Sequence, residues 1–236
     1  MCGFQRARSD DQREQRRRAI LDTAREMLAV MPVAEISLNE LSRRVGLAKS
    51  NVLRYFESRE AVLLELQDQA WTEWLAALTA ELPDVVDATA AVATRTEALA
   101  AALTASLDAR PMLCELISTT AAVLERNVSP EGVARYKRRA VAHVERLAGL
   151  LTTAVPELDA GSAGRLAAAI AMCAGALWTH ACPTDAVLAA YAQEPDLAAL
   201  RVHFREDLLE MVATLVAGVL ARGGIREAVR DGRGTP

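Results

Sequence analysis

Ile36-Ser-Leu-Asn-Glu-Leu-Ser-Arg-Arg-Val-Gly46-Leu-Ala-Lys-Ser-Asn-Val-Leu-Arg-Tyr-Phe-Glu-Ser-Arg-Glu60 is the stretch from which the rest of the chain can be read. Ser37-Leu-Asn-Glu40 has the spacing of a capping box, in which a hydroxyl accepts from the amide three residues on while the acid reaches back. It predicts a helix with Leu38, Leu41 and Val45 on its inner side. Gly46 is the first glycine after Gly3 and the last before Gly132. It stands where that helix must stop in a left-handed backbone. A further short helix is predicted over 48–56, with Val52 and Phe56 four apart and facing inward. Ser42 is small enough to let the two helices approach. Two short helices around a tight turn make a helix-turn-helix.

The outer side of the second of these helices carries Lys49, Ser50, Asn51, Arg54 and Tyr55. All can donate to phosphates or base edges. The N-terminal end of such a helix is the part that enters a major groove. Asn51 and Arg54 suit paired hydrogen bonds to adenine or guanine. Lys49, Tyr55 and the Ser37 end of the preceding helix are assigned to phosphates, and Arg44 and Arg59 complete the candidate set. Singly, each is as readily a solvated surface residue; the joint pattern is what points to DNA.

Charge is distributed to match. The whole chain of 236 residues carries a net charge of −4, which argues against indiscriminate binding of polyanions. Residues 1–60 hold twelve basic against nine acidic side chains, and the remainder fifteen against twenty-two. A basic N-terminal piece on an acidic body predicts that one end meets a polyanion. The apolar share of 52% excludes global disorder. Forty-seven alanines and few β-branched runs favour helix over sheet. The longest apolar stretch, 167–178, is short of the roughly 20 residues of a bilayer span. The first residues lack an apolar signal-peptide core, and Cys2, Cys114, Cys173 and Cys182 show no C-x-x-C spacing. A reduced cytoplasmic setting with no membrane is the expectation.

Apolar periodicity and proline positions predict helices over about 11–30, from the Ser58 cap toward Leu82, and over 88–107, 111–126, 130–155, 159–181, 184–192 and 196–222. The expected fold class is all-α: an N-terminal three-helix helix-turn-helix domain over 11–60 and a larger helical domain over 61–222. Residues 1–10 and 223–236 are expected as flexible tails.

Gly46, Lys49, Phe56, Ser58 and Glu60 keep the spacing that closes the DNA-binding unit of the TetR family of bacterial transcriptional regulators. Arg59 stands where that family often has lysine. Arg17, Ile20, Leu21 and Ala24 match its first-helix pattern. Over about residues 14–66 the chain therefore resembles this family. Leu53 departs from it, taking the place of a tyrosine that touches phosphate in many members, which shifts that role to Tyr55 and Arg54. The resemblance implies a homodimer that binds a palindromic operator in double-stranded DNA and responds to a small molecule, most often as a repressor.

For the C-terminal domain the resemblance implies ligand binding and dimerisation. Two stripes are the candidate dimer faces: Leu166, Ile170, Ala174 and Leu177, and Leu208, Met211, Leu215 and Val219. Ala167, Ala171 and Gly175 allow close approach. Intramolecular core is the alternative for both stripes. Trp74, Met112, Leu116, Ile117, Tyr136, His143, Met172 and Trp178 are the candidate pocket residues, and they suit a largely apolar effector. His180-x-Cys182 lacks further ligands for a tetrahedral metal site, and no catalytic set is found, so neither a metal nor a cofactor is expected. A helical enzyme or metal-binding bundle with a fortuitous hairpin remains the rival, as does a same-fold regulator without a ligand switch.

Overall fold

The computed structural model describes residues 2–231, with side chains from 11 to 223. These residues contain α-helices and short turns and no strand. The helices are α1 (Cys2–Leu28), α2 (Leu38–Val45), α3 (Lys49–Val52), α4 (Arg59–Val85), α5 (Val92–Asp108), α6 (Pro111–Thr119), α7 (Pro130–Ala154), α8 (Ala160–Ala181), α9 (Asp185–Gln193), α10 (Pro195–Ala198) and α11 (Phe204–Asp231). A 3-10 turn covers Val33–Glu35, and a π turn, Thr120–Leu124, continues α6.

The chain divides into two compact units. One is the chain up to Ala70 together with Thr119–Arg139; the other is Trp71–Ser118 with Ala140 onward. The sequence reading divides the chain between residues 60 and 61, whereas these compact units change over between Ala70 and Trp71 and add Thr119–Arg139 to the first. Sequence punctuation marks Ser58 as a cap, but α4 runs unbroken through both units, so no local signal marks the boundary.

The first unit forms around Ile20, Leu21, Ala24 and Met27 of α1, Leu41 of α2, Val52 and Phe56, and Leu63 and Leu66 of α4, all buried. Ser58 Oγ accepts from Ala61 N at 3.1 Å and starts α4. Ser129 Oγ accepts from Gly132 N at 3.1 Å and starts α7 with Pro130 in its first turn. Gly132 is closely surrounded: a β-carbon there would lie 2.5 Å from Glu57 Oε1 and 2.5 Å from Val128 Cγ1.

In the second unit α11 packs on α5 and α8. Leu99, Leu103 and Leu107 of α5, Leu166 and Ile170 of α8, and Leu208, Val212 and Val216 of α11 build its core. Asp159 caps α8 by accepting from Ser162 N at 2.9 Å. Arg95 ties the start of α5 to Glu157, donating at 3.1 Å, and to Ala154 O at 3.3 Å.

Several boundaries differ from expectation. Residues 2–10 and 223–231 continue α1 and α11 as helix instead of forming tails. Met1 and residues 232–236 of the expected tails lie outside the described residues. The helix expected over 196–222 is split into α10 and α11, with Asp207 Oδ2 accepting from His203 N at 2.7 Å just before α11.

Candidate nucleic-acid interface

Ser37 has extended backbone, and its Oγ accepts from Glu40 N at 3.1 Å. Only half of the expected capping box forms. Glu40 turns its carboxylate away to accept from Arg43 at 2.9 and 2.7 Å and from Arg44 Nε at 2.7 Å. These guanidiniums hold the Glu40 carboxyl down to about 2, chiefly through the Arg43 hydrogen bonds. Two charge-assisted bonds outcompete a single backbone amide for the same carboxylate. Arg44 is thus on the right face and already paired on one side.

Gly46 has φ 71° and ψ 29°. Its N–H donates to Arg43 O and the N–H of Leu47 to Ser42 O at 3.0 Å, the bond pair of a Schellman motif. Ser42 is buried, with its hydroxyl satisfied by Leu38 O at 2.7 Å. The chain then enters α3, which is shorter than the predicted 48–56. Its regular part ends at Val52. The turn bonds Tyr55 N to Val52 O at 2.9 Å and Phe56 N to Val52 O at 3.1 Å carry the chain round to Phe56.

The sidedness follows the reading. Val52 and Phe56 are buried, while Lys49, Ser50, Asn51 and Arg54 are exposed and their side chains make no hydrogen bond or ion pair with the described residues. Tyr55 is half-buried. Leu53 stands 41% exposed on this same side. The structure brings these six together in one short segment, with Ser37 and Arg44 exposed at opposite ends of α2.

Arg59 does not belong to this surface. It is 20% exposed, donates to Ile36 O at 2.7 Å and pairs with Glu60 at 2.9 Å. It closes the loop ahead of α2 onto the start of α4. It stands where the family often has lysine, but its reach back across 23 residues is set by the fold. Arg17 is the residue whose role sequence reasoning missed. It donates to Tyr55 O at 2.8 Å and to the Glu65 carboxylate at 2.6 Å, and its guanidinium lies 4.3 Å from the centre of the Phe56 ring. It fixes the turn after α3 through cation–π and charged contacts. Its match to the family pattern marked the position but not the partners.

In the second unit the proposed stripes turn out to be mixed. Leu166, Ile170, Ala174 and Leu208 are buried within the single chain, so they are core and not dimer face. Leu177, Leu215 and Val219 are half-buried, and Met211 is 41% exposed. Gly175 allows a close approach, but to α6: a β-carbon would lie 2.9 Å from Ile117 Cγ2. Helix α8 is long and apolar enough to cross a membrane by length and composition, with 39% of its most apolar window buried. Its outer side carries Met172, 68% exposed, in line with Ala168 and Ala176. Met172 therefore leaves the candidate pocket set.

Of the remaining pocket candidates, Trp74 and Leu116 are buried, and Met112, Ile117, His143 and Trp178 are half-buried. Trp74 donates to Ser106 Oγ at 2.9 Å, and Trp178 to Glu115 Oε2 at 3.0 Å. His143 stacks on Trp71 at 5.8 Å between ring centres. Tyr136 belongs to the other unit, where burial pushes its phenol up against the opposing pull of its hydrogen bonds to Thr120 and Gln67. A residue not foreseen stands out instead: Thr104 Oγ1 on α5 is buried with no hydrogen-bond partner. A threonine in an alanine-rich helix gives no signal of this in sequence. Cys114 is buried, and burial above all pushes its thiol up to about 12, the behaviour of an inert core thiol. Among the described residues no group of three or more His, Cys, Asp and Glu could hold a metal ion, and His180 and Cys182 are exposed.

Comparison with known proteins agrees with this arrangement. Residues 20–66 match the family described as bacterial regulatory proteins, tetR family. Residues 68–223 match the tetracyclin repressor-like C-terminal domain. Over 56 residues the chain is 41% identical to the HTH-type transcriptional regulator EthR of Mycobacterium tuberculosis, a match covering 24% of this chain and 26% of that protein. EthR of Mycolicibacterium smegmatis is 42% identical over 55 residues, covering 23% and 25%. The chain thus aligns with only a small part of the length of these curated relatives. In fold, it is similar to the multidrug binding protein EbrR crystallised with imidazole, with TM-score 0.54, 18% identity, and 85% and 94% of the two chains covered. It is also similar to a TetR-family transcriptional regulator from Mesorhizobium loti, with TM-score 0.52, 15% identity and coverage of 89% and 96%. With both its helix-turn-helix segment and most of its remaining length matched by the same family's models, the chain belongs to the TetR family of bacterial regulatory proteins.

Proposed function

We propose that this protein is a homodimeric transcriptional regulator of the cytoplasm that represses by binding a palindromic operator and releases it when a small, largely apolar ligand enters the C-terminal domain. The observation that carries this reading is the sidedness of the segment after Gly46: Val52 and Phe56 are buried, while Lys49, Ser50, Asn51 and Arg54 present unpaired polar groups outward. Asn51 and Arg54 read base edges, Lys49 and Tyr55 hold phosphates, and exposed Leu53 offers an apolar contact to a thymine methyl. The reading assigns no catalytic reaction to the chain.

Dimerisation is assigned to the outer sides of α8 and α11: Ala168, Met172 and Ala176, with Met211, Leu215, Gly218 and Val219. An apolar helix left mostly unburied in one chain is stabilised by a second copy, and two-fold symmetry sets two reading heads about 34–36 Å apart. For the effector, Trp74, Met112, Leu116, Ile117, His143 and Trp178 supply an apolar setting, and the unpartnered Thr104 hydroxyl supplies one polar handle. Release requires only that the ligand bind the two head spacings unequally, and a few kcal/mol is enough.

Electrophoretic mobility shift with the duplex flanking the protein's own gene tests the reading. A discrete complex that weakens steeply with salt is expected. Salt-insensitive behaviour, or no retained duplex, would reject it. Screening apolar compounds for raised thermal stability and loss of the shifted band tests the switch.

A further inference from the structure

Helix α1 projects before it packs. Among the side chains described, the first buried is Ile20, and residues 11–19 bury none, with only Arg17 half-covered. This stretch carries four arginines against Asp11 and Glu14 and has no apolar side. A helix polar on every side has no protein surface to cover and needs another reason to extend. Arg17 is committed to Tyr55 and Glu65, and Arg18 pairs with Glu14. Arg13 and Arg16, one turn apart and exposed, have no intramolecular partner among the described residues. They line a cleft of about 780 Å³ with Gln12, Gln15, Arg54 and Tyr55. Among the described residues no carboxylate lines it. The cleft therefore joins α1 to the residues assigned to the operator.

We infer that this cleft holds the sugar-phosphate backbone of the DNA strand beside the recognition segment, with Arg13 and Arg16 as phosphate-positioning residues. The inference rests on the operator reading and extends the interface from α3 to the exposed part of α1. Guanidinium forks pair with phosphate oxygens in two-point geometry, and Gln12 and Gln15 add neutral donors along the same wall. Such contacts fix register and orientation and carry no base information.

Salt titrations by fluorescence anisotropy test it, using a duplex selected by the wild-type protein from a random-sequence pool and a second, mixed-sequence duplex. Wild type, the double variant Arg13→Gln/Arg16→Gln, and Arg18→Gln are compared after circular dichroism confirms equal helix content and melting. In the dimer the double variant removes four guanidiniums, so it should lower the slope of log K against log salt by about four ions and weaken both duplexes by the same factor. Between 50 and 200 mM salt it should lose on the order of a hundredfold less affinity than wild type. Arg18→Gln, outside the cleft, should keep the wild-type slope. An unchanged slope in the double variant overturns the inference. So does an equal effect from Arg18→Gln, which would mean diffuse charge, or a loss confined to the selected duplex, which would mean base reading. A wild-type protein that selects no duplex sinks the operator reading itself, and this inference with it.

Discussion

Helices α2 and α3 and helices α8 and α11 are both helix pairs, but different things decide which side faces inward. In the first pair each helix is short, with few apolar residues and clear punctuation. Ser37, Gly46 and Ser58 set the ends, and Leu41, Val52 and Phe56 leave one choice of inner side. In the second pair both helices exceed twenty residues, α8 is apolar nearly all round, and the middle of α11 is rich in Leu, Val and Ala. Several stripes compete, and the winner is fixed by the other helices that happen to lie alongside. Leu166, Ile170 and Leu208 went inward, and Met172 and Met211 were left outside. A sparse apolar pattern specifies orientation; an abundant one does not.

The largest effect that sharpens this comparison lies on α8 itself. Ile170→Ala should destabilise the fold by about 2–5 kcal/mol in urea titration, since it empties a buried site. Met172→Asp, two residues on, should keep the helical fold but weaken self-association in sedimentation equilibrium. Equal effects of the two on folding would erase the distinction between inner and outer sides. On the head, Asn51→Ala or Arg54→Ala should each cost about 1–3 kcal/mol of operator affinity and relax sequence choice, as read by footprinting. Unaltered footprints in both would remove them from the reading surface.

Gly46→Ala should cost about 1–2 kcal/mol of stability, because the left-handed backbone at φ 71° puts a β-carbon against the following carbonyl. Nothing within 4 Å opposes the added carbon, so the backbone alone carries the effect. Thr104→Val should act in the opposite direction. Removing a buried hydroxyl that has no partner should stabilise the ligand-free protein by about 1 kcal/mol in thermal denaturation, while weakening binding of any effector that uses it.

The smallest expected effect is pH dependence. Glu157 is held below the ordinary carboxylate range chiefly by its hydrogen bonds with Arg95, and Asp159 chiefly by its hydrogen bonds with Ser162. A carboxyl depressed in the folded state stabilises above its unfolded value and loses that contribution as pH falls through its folded one. Urea midpoints should therefore decline as acid enters the carboxylate range, and Glu157→Gln or Asp159→Asn should make the decline shallower. In the head, Glu40 at about 2 should keep its pairing with Arg43 and Arg44 further into acid.

The head was legible because its devices act over a few residues. The Gly46 stop, the Ser37 cap and the outward placement of Asn51 and Arg54 all follow from neighbours in sequence. The misreadings within it involve long reach. Arg59 bonds Ile36 across 23 residues, and Arg17 reaches Glu65 across 48. Glu40 failed for a different reason: two arginines competed for it and won. In the body, Tyr136 was grouped with Trp74 and Trp178 because all are large and amphipathic, yet the chain returns Thr119–Arg139 to the first unit. No periodicity encodes that return.

The sequence by itself determined that the chain is helical, where most helices start and stop, and that an exposed polar side follows Gly46. Those properties depend on backbone conformation, capping and local period, which neighbouring residues control. Tertiary structure alone decided the inward side of α8 and α11, the clamp made by Arg17, the isolation of Thr104 Oγ1 and the cleft shared by α1 and Arg54. Those depend on which distant segments meet, and burial energy is shared among too many alanines and leucines for a single stripe to dictate the meeting.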